Sequence, residues 1–427
     1  MENKFQIPPL FEKITVEVCR YLLASVFLFS GYVKAVDPLG TVYKNLDYFD
    51  ALGLTTFNFA AVPFAFFLFS LEFLLGACLL LGVYRKYSTI LILLFMLFMT
   101  PFTLYIAIAD PVTDCGCFGE ALLISNWQTF FKNIILLLAS FVVFFGWKRM
   151  KPLLSHRFEP FALTWNILFV LFFSFYCFLY LPILDFRPYK IGAYLPELME
   201  IPEDAEPDEY KSTLVYSKDG VEKEFTLEDY PRNDDSWTFV DSRSKLIKKG
   251  YEPPVHDFVI LTEDGEDITD QVLENPSYTF LLIAYDLTKA NDSRVDEINE
   301  IYDYALEHGY DFYTLTSSLS DDIEKWISLT GAEYPFCTMD EITLKTIVRS
   351  NPGLVLMKGG IIVNKWPSRT IPKLSYTDDS LEDSNLGQIP PDHSTKKVFI
   401  SCLLFLLPLI VLFLCDYFQT RKRKREV

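Results

Sequence analysis

Residues 57–83 read FNFAAVPFAFFLFSLEFLLGACLLLGV. Glu72 is the only charged residue in the run. A hydrocarbon layer about 30 Å thick is crossed by roughly 20 mostly apolar residues in helix, so this stretch predicts a membrane span. Comparable runs occur at Ile14–Lys34, Tyr87–Ala109, Phe130–Trp147, Phe161–Leu184 and Val398–Tyr417. Together they predict a membrane all-α bundle of about five N-terminal helices, with one further helix near the C-terminus. The first run is expected to remain as a span. Its flank, Glu12-Lys13, is weakly charged, and no small-x-small cleavage site precedes Tyr32-Val33-Lys34.

Working outward, the chain changes character after the fifth run. Residues 185–397 hold 43 acidic against 21 basic residues, whereas the remainder is net basic. So acidic a stretch belongs in water, and it excludes nucleic acid and anionic lipid as its partners. Lys and Arg in short loops set orientation. Lys4, Lys13, Arg85, Lys86, Lys148, Arg149, Lys151, Arg157 and the Arg421–Arg425 tail fall on one side if six spans are counted. The other side has Lys34 and Lys44, in a first outside loop over 34–56, and no Lys or Arg between Ala109 and Phe131. The reading is a multi-pass protein of the cytoplasmic (inner) membrane, both termini cytoplasmic, with residues 185–397 extracytoplasmic or periplasmic.

Five segments are expected. Residues 1–184 form the bundle. Residues 185–256 combine a linker, marked by Pro188, Pro196, Pro202 and Pro207, with a small β-rich segment. In that segment Thr213–Tyr216 and Glu222–Thr226 flank a Lys218-Asp219-Gly220 turn signal. Residues 257–373 form an α/β domain. It begins with a hairpin, Phe258–Thr262 and Asp267–Leu273, and continues with strand Tyr278–Asp286. Helix Ser293–His308 carries Val295, Ile298, Ile301, Tyr302 and Ala305 on one face. Strand Phe312–Thr316, helices capped by Ser320 and Asp340, and strands Leu354–Met357 and Ile361–Trp366 follow. Residues 374–397 are a second linker. Residues 398–427 are the anchor with its basic tail.

Two groups of residues carry chemistry. Asp114-Cys115-Gly116-Cys117-Phe118-Gly119 lies in the loop between the third and fourth spans. Cysteines two apart reach the upper end of the disulfide range, and the glycine permits the turn. A strained, exposed bridge is easier to reduce than a structural one, which suits electron exchange. The bland alternative is a static bridge or two thiols that shape the loop. Asp114 and Glu120 raise the thiol pKa values, so a reactive thiolate would need a helix N-terminus near Trp127–Phe130 or a docked partner. The four histidines are scattered, so no metal site is expected. The second group is Arg20 and Glu72, charges inside spans one and two. Such charges are costly unless paired or wet, so the two are expected to meet, with Glu17 sharing Arg20. The pair serves either as a structural register device or as a proton or quinone-headgroup site.

Two resemblances rest on these residues. Residues 257–370 resemble a thioredoxin-like domain, through the leading hairpin, the β-α-β order and a proline opening a two-strand hairpin. The resemblance implies that Pro352 is the family's cis-proline and marks a docking groove. The family's cysteine pair would fall within Asp286–Arg294, where this chain has no cysteine, so the domain is expected to bind and not to exchange thiols. Residues 13–183 resemble the DoxX/MauE-like membrane family. The similarity is carried by Arg20-Tyr21-Leu22, by Phe29-Ser30-Gly31-Tyr32-Val33-Lys34, and by Glu72, Gly76 and Leu80-Leu81-Gly82. It continues in the Cys-Gly-Cys-Phe-Gly loop and Lys132-Asn133. That family implies a small helix bundle serving redox or thiol maturation. MauE is associated with maturing a disulfide-rich methylamine dehydrogenase beside a separate thioredoxin-like partner.

The functional expectation is a membrane-bound envelope redox protein. Cys115 and Cys117 would be the active dithiol, and Arg20 and Glu72 the supporting charges. The partners would be the lipid bilayer and an extracytoplasmic thiol/disulfide protein, with a membrane quinone as cofactor. The rival class is a non-enzymatic scaffold that presents a binding-only thioredoxin-like domain.

Overall fold

The computed structural model describes residues 9–426 apart from 113, 208, 219–220, 227–228, 231, 233–235 and 249. The Asp219-Gly220 turn and Lys4 lie outside the described residues. Among the described residues six helices are long and apolar enough to cross a membrane, and they overlap the six runs read from sequence, the second ending at Leu81 and the fifth at Leu179. The bundle comprises α1 (Pro9–Val36), α3 (Ala61–Leu81), α4 (Arg85–Ala109), α5 (Asn126–Gly146) and α6 (Glu159–Leu179), with a shorter helix α2 (Pro38–Ala51) between the first two.

Helices α1 and α3 pack antiparallel at very short range. A Cβ on Gly31 would lie 2.5 Å from the Phe73 nitrogen, and one on Gly76 would lie 2.6 Å from the Leu28 nitrogen. Small residues let membrane helices approach backbone to backbone, where packing replaces the absent hydrophobic drive. These two contacts set the α1/α3 register. Residues 30–34 stand beside residue 72, and residue 20 stands beside residues 79–80.

Helix α2 corrects the expectation of an open loop over 34–56. Its start carries a strong signal: Asp37 is the N-cap and accepts a hydrogen bond from the Gly40 N–H at 2.9 Å, and Pro38 opens the first turn. A capping carboxylate satisfies a backbone donor that the helix cannot, and proline tolerates the first helical position.

The polar part begins with a strap. Gly192 N–H donates to the Ile362 carbonyl (2.7 Å) and Leu195 N–H to the Gly360 carbonyl (2.9 Å), so the expected linker lies against the α/β domain. It includes α7 (Leu195–Met199). Strands β1 (Glu209–Lys218), β2 (Val221–Thr226) and β3 (Thr238–Lys248) form an antiparallel sheet in the order β2-β1-β3.

The next elements are β4 (Leu261–Thr262), α8 (Thr269–Glu274), β5 (Tyr278–Ile283), α9 (Val295–His308), β6 (Asp311–Thr316), α10 (Ser320–Thr330), β7 (Phe336–Thr338), α11 (Glu341–Ile347), β8 (Gly353–Lys358) and β9 (Ile361–Pro367). They build a six-stranded sheet, β4-β7-β6-β5-β8-β9. The parallel pair β5/β6 is joined through α9, and β8 returns antiparallel beside β5. A cis Asn351–Pro352 bond precedes β8. This is the thioredoxin-like arrangement. Two expected details change. Of Asp267–Leu273 only Asp267 pairs, in a single antiparallel bridge with Leu261; its Oδ1 accepts the Thr269 N–H (2.9 Å) as the chain turns into α8. Ser320 is the first residue of α10 and not its cap, which is Leu319. The chain ends in α12 (Ser394–Glu426), whose Phe405 and Leu409 pack beside α3 and α6.

The two parts touch through α2. Arg349, just before the cis-proline, pairs with Asp37 through Nε (3.0 and 3.1 Å) and Nη2 (2.9 Å). The Tyr43 hydroxyl donates to the Tyr285 hydroxyl at 3.2 Å, and the Lys345 and Arg349 cations lie over the Tyr43 ring.

Candidate functional site

The Cys-Gly-Cys loop is pinned at both ends. Asn126, opening α5, donates from Nδ2 to Asp110 Oδ1 and to the Val112 carbonyl, each at 2.9 Å. Within the loop Asp114 Oδ1 accepts the Gly116 N–H (2.7 Å), and its other oxygen takes Lys44 Nζ of α2 (2.8 Å). Tyr48 of α2 donates to the Cys115 carbonyl at 2.9 Å. Gly116 has φ +64°, and a Cβ there would meet Lys44 Cγ at 2.9 Å. Glycine is therefore required twice, for a left-handed backbone and for room.

Cys115 and Cys117 are free thiols with sulfurs 3.0 Å apart. Cys115 is buried against Ile106, Val112, Tyr48 and Phe102. The hydrogen bond between the two sulfurs holds the Cys117 pKa down to about 6 despite burial. Lys132 and Lys34 add to the effect. The same bond pushes Cys115 the other way. The bond thus favours one thiolate and one proton-bearing thiol, the division that nucleophilic thiol chemistry uses. The cations come from α1 and α5, whose first turn holds Trp127–Phe130. Lys132 Nζ also sits 4.3 Å from the Phe118 ring centre.

Glu72 lies two helical turns from the place predicted for it. Arg20 is fully buried, but it donates to the Leu79 (2.6 Å), Leu80 (2.9 Å) and Lys151 (2.8 Å) carbonyls and pairs with Glu17 (2.9 Å). Carbonyls at the end of α3 lack helical partners, and Arg20 satisfies them. The expected Arg20–Glu72 contact does not form. The register set by Gly31 and Gly76 puts about seven residues, roughly 10 Å of helix, between their levels. Glu72 pairs instead with Lys34, whose Nζ is 2.8 and 2.9 Å from its two oxygens. Both are buried. Ser30 Oγ lies 2.8 Å from Glu72 Oε2 and 2.7 Å from the Cys117 carbonyl.

A cavity of about 400 Å³ joins these groups. Lys34, Glu72, Cys115 and Cys117 line its polar end, and Phe64, Phe67 and Phe98 its apolar end. Those three rings are exposed on the bundle surface, so the apolar end opens toward lipid. Among the described residues no cluster of His, Cys, Asp or Glu is arranged to hold a metal ion.

Pro352 stands apart from the dithiol. Its loop is tied to the position where thioredoxin-like domains carry cysteines: Asn351 Nδ2 donates to the Asp286 carbonyl (2.7 Å), and Asn291 N–H to the Asn351 carbonyl (2.9 Å). Part of the expected docking groove therefore faces α2, while Thr288 and Lys289 remain exposed. Sequence reasoning missed Lys34, Lys44, Tyr48 and the function of Lys132. The rule that an ionisable residue inside a span marks a site would have found Lys34, which the sequence reading assigned to the edge of a loop.

Comparison with known proteins adds four observations. Residues 210–249 match a family described as a domain of unknown function, DUF8463. No curated protein matches the chain. The solved structures that match include the "solution structure of a putative protein disulfide isomerase from Bacteroides thetaiotaomicron", at 18% identity and a TM-score of 0.22, covering 26% of this chain and 75% of that one. Residues 12–146, about a third of the chain, which hold most of α1, all of α2 to α5 and the Cys-Gly-Cys loop, match the family described as methylamine utilisation protein MauE.

Proposed function

We propose that this protein is a membrane thiol oxidoreductase whose dithiol, Cys115 and Cys117, passes electrons between an extracytoplasmic thiol/disulfide protein and a membrane quinone. One observation carries the reading: the paired sulfurs lie at the polar end of a cavity whose apolar end opens to lipid. A quinone has the matching character, with a polar headgroup and an isoprenoid tail. The net reaction is a two-electron exchange. Dithiol and quinone give disulfide and quinol, with both protons leaving the thiols or their neighbours. Lys34 and Glu72 support it at the headgroup end. Arg20 serves to fix the helices. The basic loop residues Arg85, Lys86, Arg149 and Lys151 gather at the end of the bundle remote from the dithiol, which supports an extracytoplasmic site in the inner membrane with residues 185–397 on the same side.

The thioredoxin-like domain has no cysteine at the family's position and carries no electrons. It presents the protein partner beside the loop, on the exposed ledge at Thr288 and Lys289.

The test is the redox state of the pair in cells, trapped by alkylation with a mass tag. The expected result is a mixture of dithiol and disulfide that shifts to dithiol when quinone is depleted. Full function of the Cys115→Ser/Cys117→Ser double variant would refute the redox reading and leave the scaffold reading in its place.

A further inference from the structure

Ser30 joins Glu72 to the Cys-Gly-Cys loop. Its one hydroxyl proton is shared between two acceptors, the Cys117 carbonyl at 2.7 Å and Glu72 Oε2 at 2.8 Å. The Lys34 ammonium, within 2.9 Å of both Glu72 oxygens, is the proton carrier of the group. The two side chains are 7% and 4% exposed, so a proton shared between them is sheltered from bulk water. Lys34 and Glu72 also line the same cavity as Cys117. A second, small cavity of about 30 Å³ is bordered by Ser30, Glu72, Cys117, Lys132 and Asn133 and is roomy enough for a water.

We propose that Lys34 and Glu72 are the proton-donating pair of this site, holding the proton that a quinone in the cavity takes up when the dithiol surrenders its electrons. The inference rests on the quinone reading above. The balance is as follows. Two electrons leave the Cys117 thiolate and the Cys115 thiol as the S–S bond forms. The quinone takes both electrons, one proton from Cys115 and one from the Lys34/Glu72 pair, and leaves as quinol. The pair regains its proton from water on the side of the loop. The titratable groups facing Lys34 are Glu72 of α3 and Cys115 and Cys117 of the loop. Asp37, Lys44 and Tyr48 of α2, with Asp114 and Glu120 of the loop, line the same cavity. Lys132 of α5 stands beyond Cys117.

The experiment uses the full chain in lipid nanodiscs, reduced and then mixed anaerobically with a short-chain benzoquinone. Single-turnover quinol formation is followed across pH. Iodoacetamide alkylation of Cys117 is measured in parallel and does not involve quinone. In the wild type, turnover is expected to fall at alkaline pH as the pair loses its proton. Glu72→Gln is expected to slow turnover about 100-fold, the scale of a lost general acid, while Cys117 still alkylates as a thiolate. Lys34→Arg keeps a cation beside Glu72 and so guards against misfolding, but it does not give up its proton; it should slow turnover and abolish the alkaline limb. Wild-type rates and pH profile in both variants would overturn the assignment and make the pair structural. A wild-type protein that leaves the benzoquinone unreduced would overturn this assignment and the quinone reading together.

Discussion

Replacing Arg349 by Met tests whether the thioredoxin-like domain is held against the bundle by a single buried charge pair. Arg349 is 5% exposed, makes three contacts of 2.9–3.1 Å to Asp37, and donates to the Lys345 carbonyl at 2.7 Å. Burial opposes ionisation of Asp37, yet Arg349 and Arg187 hold its carboxyl below the usual range. Methionine keeps most of the aliphatic stem and removes the charge. Asp37, half-buried, is then left without its ion-pair partner and keeps only the Gly40 N–H and the more distant Arg187, a loss worth about 3 kcal/mol, the low end for breaking a buried pair. At about 1.4 kcal/mol per factor of ten, local opening of the interface should become at least about 100-fold more frequent. Backbone hydrogen exchange is the assay, read at residues 38–48 of α2 and 341–349 of α11. Both segments should exchange faster by that factor, while α9 should not change. Asp37→Asn combined with Arg349→Met should recover part of the loss, because no charge is then stranded. Unchanged exchange at α2 and α11 in Arg349→Met would refute the clamp.

Three further outcomes are expected. Alkylation of Cys117 by iodoacetamide should rise with pH through a midpoint near 6, where the thiolate forms, and Lys132→Gln should move that midpoint upward; a midpoint near the free-cysteine value of about 8.5 would contradict the arrangement. Gly116→Ala should cost about 1–2 kcal/mol, because its φ of +64° is left-handed and its Cβ meets Lys44, and thermal unfolding of the bundle with exposure of Cys115 to alkylation measures it. Asp185 is half-buried, which alone would raise its pKa, but Arg187 and Lys365 hold it well below the usual range. Its folded pKa lies under the unfolded value of about 3.9, so its contribution is complete above that pH and is lost as pH falls further; Asp185→Asn should flatten the acid limb of a stability–pH curve.

The sequence by itself determined what depends on local pattern. Apolar runs long enough for a bilayer placed all six spans. The acid-rich middle placed the aqueous part, and alternating apolar strands and an amphipathic helix placed the β-α-β core from Tyr278 onward. Cys115-Gly116-Cys117 was legible because its members are adjacent in the chain. Helix α2 was legible in principle, from Asp37-Pro38, but was read as loop because it is neither apolar nor strongly periodic. Only the tertiary structure decided which charge Glu72 meets. Arg20 and Lys34 are both on α1, one on either side of its level, and each was within the bounds that composition allows. The choice was made by two glycines, Gly31 and Gly76, which bring the α1 and α3 backbones into contact at one register. That contact joins residues about 40–50 positions apart, and no periodicity within either helix encodes it. The same is true of the Arg349–Asp37 pair, which joins the two ends of the chain through 312 residues, and of the cavity, which exists only where α1, α2, α3, α4 and the loop converge. Pairing of charges at such separations is set by which backbones can approach most closely, a property of packed surfaces and not of any segment read alone.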